Sequence, residues 1–253
     1  MLDYDWRQEC AALTGQEAVA PPGPRLSLAY PPSRCRHCGH RIRALENIPL
    51  VSYLVLRGRC SSCGGTIDLR CPLVETGTAL LSVLVVQRFG IGWEGAAALV
   101  LTWCLIALAV IDLDTRLLPD VITLPVLWLG LLLSLGSWFT DSRSAILGAA
   151  LGYLGLRSFF HLFRLLTGKE GMGFGDFKLL AMLGAWLGWQ YLPQIVLLSA
   201  CAGALVGTTL ILVRRQDPRI PTPFGPYLAA AGWIGLMWGD AINRAWRGWR
   251  QCR

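Results

Sequence analysis

Two short stretches place acidic residues at the edge of an apolar run. They are Ile111-Asp112-Leu113-Asp114-Thr115-Arg116-Leu117-Leu118-Pro119-Asp120 and Gly171-Met172-Gly173-Phe174-Gly175-Asp176-Phe177-Lys178. Carboxylates at the edge of an apolar segment are expensive and usually functional. Two that share a proton can hydrolyse a peptide: one accepts a hydrogen from water, and the other protonates the peptide carbonyl or the leaving amine. Asp112 and Asp176 are the candidate catalytic pair. Asp112 ends the run 94–111 and should sit at a helix carboxyl end, whereas Asp176 precedes a run and should sit at an amino end. The two dipoles favour Asp176 as the base and Asp112 as the carrier of the shared proton, which belongs to the coupled pair.

The neighbouring acids have blander readings. Asp120, after Pro119, reads as a helix cap, and Asp114 as a solvated loop residue. Asp112 and Asp176 could also be caps, but their pairing argues for chemistry. The three histidines, His37, His40 and His161, support no Ser–His–Asp arrangement. The first two flank Cys38, and His161 reads as a packing or hydrogen-bonded residue of an apolar helix. The glycines ahead of Asp176 predict backbone conformations closed to other residues, which would let a loop bring the carboxylate near a substrate strand.

Cys35-x-x-Cys38 and Cys60-x-x-Cys63 form a second constellation, with 21 residues between the pairs. Two such knuckles can supply four thiolates in a tetrahedron, the arrangement of structural zinc. A labile pair of disulfides and unliganded thiols are the alternatives. The chain has nine cysteines; Cys10, Cys71, Cys104, Cys201 and Cys252 read as packing residues.

These groups must be held by helices in a bilayer. Of 253 residues, 54% are hydrophobic and 15% charged, which points to a lipid solvent. Seven apolar runs, at 73–91, 94–111, 121–139, 144–166, 177–191, 194–213 and 223–240, approach the length that crosses a hydrocarbon core; the fifth is short. The predicted fold is therefore an all-α polytopic membrane protein with a small cytoplasmic four-cysteine module. Residues 1–71 form the cytoplasmic segment, with the zinc module at about 31–71, and 72–253 the membrane domain.

The net charge of +7 excludes nothing by itself, but nine arginines fall in residues 1–71 and three more at Arg214, Arg215 and Arg219. Cytoplasmic segments carry such an excess, and without an aromatic and basic groove no nucleic-acid partner is expected. The C-terminal arginines Arg244, Arg247, Arg250 and Arg253 oppose this topology if all seven spans are real. No secretory signal precedes residue 72. An even number of spans separates the cysteine module, Asp112, Asp176 and the Arg214 loop, so all four share one membrane face. Gly148, Gly152 and Gly155 are suited to close helix packing.

The Asp112 segment, the Gly-x-Gly-x-Gly-Asp stretch and Thr222-Pro223-Phe224-Gly225-Pro226-Tyr227 together resemble the type IV prepilin peptidases. So does Pro31-Pro32-Ser33-Arg34-Cys35-Arg36-His37-Cys38-Gly39-His40, followed by Glu46-Asn47-Ile48-Pro49. The resemblance runs from about residue 31 to 240. It implies an aspartic endopeptidase of the bacterial inner membrane that cleaves type IV prepilins and type II secretion pseudopilins after a Gly, on the cytoplasmic side. In many members it also implies N-methylation of the new N-terminus with S-adenosylmethionine. Similar enzymes usually carry a further span before the cysteine module, where this sequence has Met1-Leu2-Asp3-Tyr4-Asp5; an inactive homologue is one reading of that difference. A reading from another class is a multi-pass transporter or pilus-assembly scaffold whose acids bind protons or cations. It leaves the cysteine module unexplained, and midplane sites are more usual in carriers.

Overall fold

The computed structural model describes residues 35, 38–42, 51–168, 173–214 and 223–251. Within them the chain forms helices α1 (Val51–Val55), α2 (Arg70–Phe89), α3 (Trp93–Thr115), α4 (Asp120–Ser134), α5 (Ser142–Thr167), α6 (Phe174–Leu187), α7 (Leu192–Arg214) and α8 (Gly225–Gln251), with a 3₁₀ turn at Trp189–Tyr191. An isolated antiparallel bridge joins Arg59 and Thr66. The chain divides into two compact units at Gly77 and Thr78.

In the first unit, the described residues around the cysteines form two tight turns, taken up below. In the second, several helix ends have a local cause. Asp141 caps α5 by accepting the Ser144 amide at 3.1 Å, and Gly168 ends that helix at φ 68°. Arg116 ends α3 in the left-handed region, its N–H donating to the Asp112 carbonyl at 2.9 Å. Gly188, at φ 91°, stops α6 and lets the chain turn into Trp189.

The core of the second unit is α6. Phe177, Leu179, Met182, Leu183 and Ala185 expose no surface, so the helix is apolar all round and sits inside the bundle. It packs on α4, α5 and α8. Trp186 donates its indole N–H to the Val126 carbonyl of α4 at 2.8 Å, with Gly130 beneath the ring. On the other side, Gly148 of α5 and Gly184 of α6 meet backbone to backbone: a Cβ on either would lie 2.2 Å from the other's carbonyl oxygen. Gly152 closes on Leu180 in the same way, whereas Gly155 has nothing within 4 Å and takes no part in the packing.

The bundle's outer faces carry Leu80, Val83, Trp128, Leu132, Leu151, Leu154, Leu197 and Leu205, all exposed. An apolar surface this extensive suits lipid. Among the described residues, three helices are long and apolar enough to cross a membrane: Trp93–Thr115, Ser142–Leu166 and Trp189–Thr209; Asp120–Ser134 is a shorter apolar helix. Each of the seven predicted runs contains a helix. The fifth is the 14-residue α6, shortened because Gly188 breaks it before Trp189.

Candidate active site

Asp112 lies in the last turn of α3. Its carboxylate is buried, with the residue 5% exposed, and Oδ2 accepts the backbone N–H of Gly225 at 3.0 Å. Gly225 opens α8, so a helix that starts 113 residues later in the chain closes on the acid. The expectation that Asp112 would feel only the negative end of its own helix omitted this donor. The dipole argument for Asp112 as the resting proton carrier is weakened accordingly.

Asp176 occupies the third position of α6 and is 6% exposed. Its Oδ2 reaches back to the N–H of Gly173 at 3.2 Å, which is half of a capping box, since glycine has no side chain to return the bond. The Asp112 charge is felt at Asp176, so the two acids act on one another at one end of the bundle. Gly173 and Gly175 do not serve the predicted purpose. Gly173 has an ordinary φ of −80°, and Gly175 is not among the positive-φ glycines. Gly175 supplies space instead, because a Cβ there would lie 2.8 Å from the Leu118 Cβ. Gly171 lies outside the described residues.

Asp120 is the first residue of α4, with Pro119 at the cap position and no side-chain cap bond. It does not cap the helix. Its carboxylate meets Lys178 Nζ at 2.5 Å, which ties the start of α4 to α6 two residues beyond Asp176. Asp114 is exposed in the last turn of α3, and His161 lies on an outer face against the Phe160 ring. The Lys178 pair and the Gly225 bond both escaped sequence reading. The visible signal for the second was a Gly-Pro step at the start of the last apolar run.

In the other unit, Cys35, Cys38, Cys60 and Cys63 bring their sulfurs within 4.8 Å of one another, a set that could hold a metal ion. None is in a disulfide. The two turns repeat one pattern. Gly39 and Gly64, at φ 70° and 68°, donate their N–H to the carbonyls of Cys35 and Cys60 at 2.9 and 3.0 Å, and those cysteines' own amides donate to His40 and Gly65, each at 2.8 Å. A side chain at φ near +70° is strained, so the glycine after each second cysteine has a conformational reason. Backbone amides of Cys63 and Ser62 hold the Cys60 thiol below its usual value. At Cys63 the Gly65 amide pulls down, but contact with the Cys38 thiol, burial and the remaining sulfurs outweigh it and push the thiol up to about 11. Thiolates are the metal-binding form, so a cation held among these four sulfurs would displace their protons.

The fold and this site define a helical, membrane-capable protein with a buried aspartate pair at one end of its bundle and a separate four-cysteine cluster. Comparison with known proteins agrees. The pattern of the type IV leader peptidase family matches residues 99–208, and that of the bacterial peptidase A24 N-terminal domain matches residues 16–89. A Pseudomonas aeruginosa protein named prepilin leader peptidase/N-methyltransferase is 52% identical over 246 residues, covering 97% of this chain and 84% of the relative. Proteins of the same name from Aeromonas hydrophila and Dichelobacter nodosus are 54% and 48% identical, each covering 96% of this chain and 84% and 85% of the relative. No solved structure matches. The chain belongs to the type IV leader peptidase family.

Proposed function

We propose that this protein is a membrane aspartic endopeptidase that removes the leader peptide of type IV prepilins and type II secretion pseudopilins after a Gly, and then methylates the new N-terminus. The observation that carries the reading is the buried pair: Asp112 and Asp176 interact by charge, and each has one oxygen occupied by a glycine amide. With one proton between them, the ionised acid takes a hydrogen from water while the protonated one polarises the scissile carbonyl. The proton then passes to the leaving amine as the tetrahedral intermediate collapses. Burial keeps bulk water from competing for the shared proton. The transporter or scaffold reading is not favoured, because the relatives are named as enzymes.

The four sulfurs fit zinc. A tetrahedron of Zn–S bonds of about 2.3 Å needs sulfurs about 3.8 Å apart, and Cys35 Sγ and Cys63 Sγ lie at 3.8 Å. A site closed by four thiolates leaves no open position, so the ion's role is structural. For methyl transfer, S-adenosylmethionine would supply an electrophilic methyl group to the new amine. Among the described residues no strand runs into a glycine-rich helix start, so no residue is assigned to that donor. The seven apolar runs, read as spans with 1–71 in the cytoplasm and 72–253 in the membrane, set the aspartate pair at the cytoplasmic face of the bacterial inner membrane, where arginine-rich segments belong.

The test is prepilin processing by full-length protein in detergent. Asp112→Asn and Asp176→Asn should each abolish cleavage while the protein still inserts and accumulates, and Asp120→Asn should retain much of it. Near-normal processing by either of the first two variants overturns the catalytic assignment.

A further inference from the structure

The first turn of α8 has one backbone donor to spare. The four leading amides of a helix lack partners within it; here Pro226 has none to offer, and those of Tyr227 and Leu228 donate to the Phe224 carbonyl at 3.1 and 3.2 Å. The Gly225 N–H is turned instead onto Asp112 Oδ2, in a buried contact of 3.0 Å. A buried amide needs a partner, so the bond fixes the start of α8 and the carboxylate together. The glycine is needed for space, not for its backbone angles. A Cβ at this position would lie 2.6 Å from Asp112 Oδ2 and 3.0 Å from Cγ, and Gly225 is not among the positive-φ residues.

We infer that Gly225 is the positioning residue of the Asp112 carboxylate, its N–H holding Oδ2 so that Oδ1 is the oxygen that exchanges protons with water and substrate. The inference rests on Asp112 and Asp176 being the catalytic pair. It gives the Thr222–Tyr227 stretch a role, which its sequence did not reveal. The same device recurs at Asp176, whose Oδ2 is held by the Gly173 amide at 3.2 Å. Each acid thus has one oxygen tied by a glycine N–H at a helix start. For Asp176 the amide precedes its own helix; for Asp112 it comes from a helix distant in sequence. Hydrogen bonds to a charged oxygen are stronger than neutral ones, and an acid held by one oxygen cannot swing away from its partner.

The experiment measures kcat, KM and the pH–rate profile for prepilin cleavage by full-length protein in detergent. One variant is Gly225→Ala. A second replaces residue 225 by glycolate, which turns the Phe224–Gly225 amide into an ester and so removes the N–H while adding no bulk. Gly207→Ala, with nothing within 4 Å of the added Cβ, is the control and should behave as wild type. Gly225→Ala should lower kcat about 100-fold, and the ester about tenfold, with KM within about twofold. Both should move the pH–rate profile, while the ester leaves the melting temperature near that of the control. An ester variant with wild-type kcat and an unmoved profile overturns the inference, as does a fall in kcat that tracks melting temperature with the profile unchanged. If wild type fails to cleave, or Asp112→Asn still cleaves, the catalytic reading itself fails and takes this inference with it. Full loss in Asp112→Asn beside a normal ester variant sinks the positioning role alone.

Discussion

Substituting Gly148 or Gly184 by alanine should damage catalysis from a distance. At each position the added Cβ would fall 2.2 Å from the opposite carbonyl oxygen, whereas real Cβ contacts essentially never fall below 3.0 Å. The difference, 3.0 − 2.2, means that α5 and α6 must part by at least 0.8 Å. Neither obstacle is a flexible side-chain tip; both are helix backbone. Overpacking of this kind costs about 1 to 3 kcal/mol. It also moves α6, which carries Asp176 eight residues before Gly184, about 12 Å along the axis. Asp112 stays on α3, so the shift changes the spacing of the pair, and a misplacement near 1 Å can cost about 100-fold in rate. Gly155→Ala is the matched control on the same helix, since its Cβ meets nothing within 4 Å. The assay is prepilin cleavage and thermal unfolding of the three variants in one detergent. Gly148→Ala and Gly184→Ala should lose at least tenfold in kcat and melt several degrees lower, while Gly155→Ala matches wild type. If Gly148→Ala and Gly155→Ala cannot be told apart, the close approach of α5 and α6 is wrong.

Elemental analysis should find one zinc ion per chain. Cys38→Ser or Cys63→Ser should remove it, and acid should release it because protons compete for the thiolates; freshly purified protein with no zinc and four readily alkylated thiols would rule this site out. The cap at Asp141 should make stability depend on acid. The Ser144 hydroxyl and amide hold this carboxyl below its ordinary value, so its contribution is complete above the unfolded pKa near 4 and is lost as pH falls through the lower folded value. Asp141→Asn should therefore reduce the fall in melting temperature below about pH 4; an unchanged fall would show that the cap does not couple to stability.

The helices were legible because the apolar runs are long and separated by Pro, Gly and charge: Pro119 before α4 and the arginines after α7 read directly, whereas the Asp141 cap of α5 emerged only from the structure. The acids at span ends were legible for the same reason, as polar exceptions in an apolar chain. What joins them was not. The Gly225 bond spans 113 residues and involves a backbone atom, so no side-chain pattern announces it. The Lys178–Asp120 pair spans 58 residues and depends on how α4 and α6 cross. The glycines mislead for a related reason: the residue type indicates freedom and smallness alike. Only the packing separates Gly64, which needs its positive φ, from Gly175, which makes room for Leu118, and Gly155, which does neither.

The central claim is tested most directly by the mass of the product. A prepilin incubated with full-length protein and S-adenosylmethionine should lose its leader after the Gly and gain the mass of one methyl group at the new N-terminus. The Asp112→Asn and Asp176→Asn proteins should leave the precursor at its original mass. An intact precursor with the wild-type protein, or a shortened one with either variant, would contradict the account.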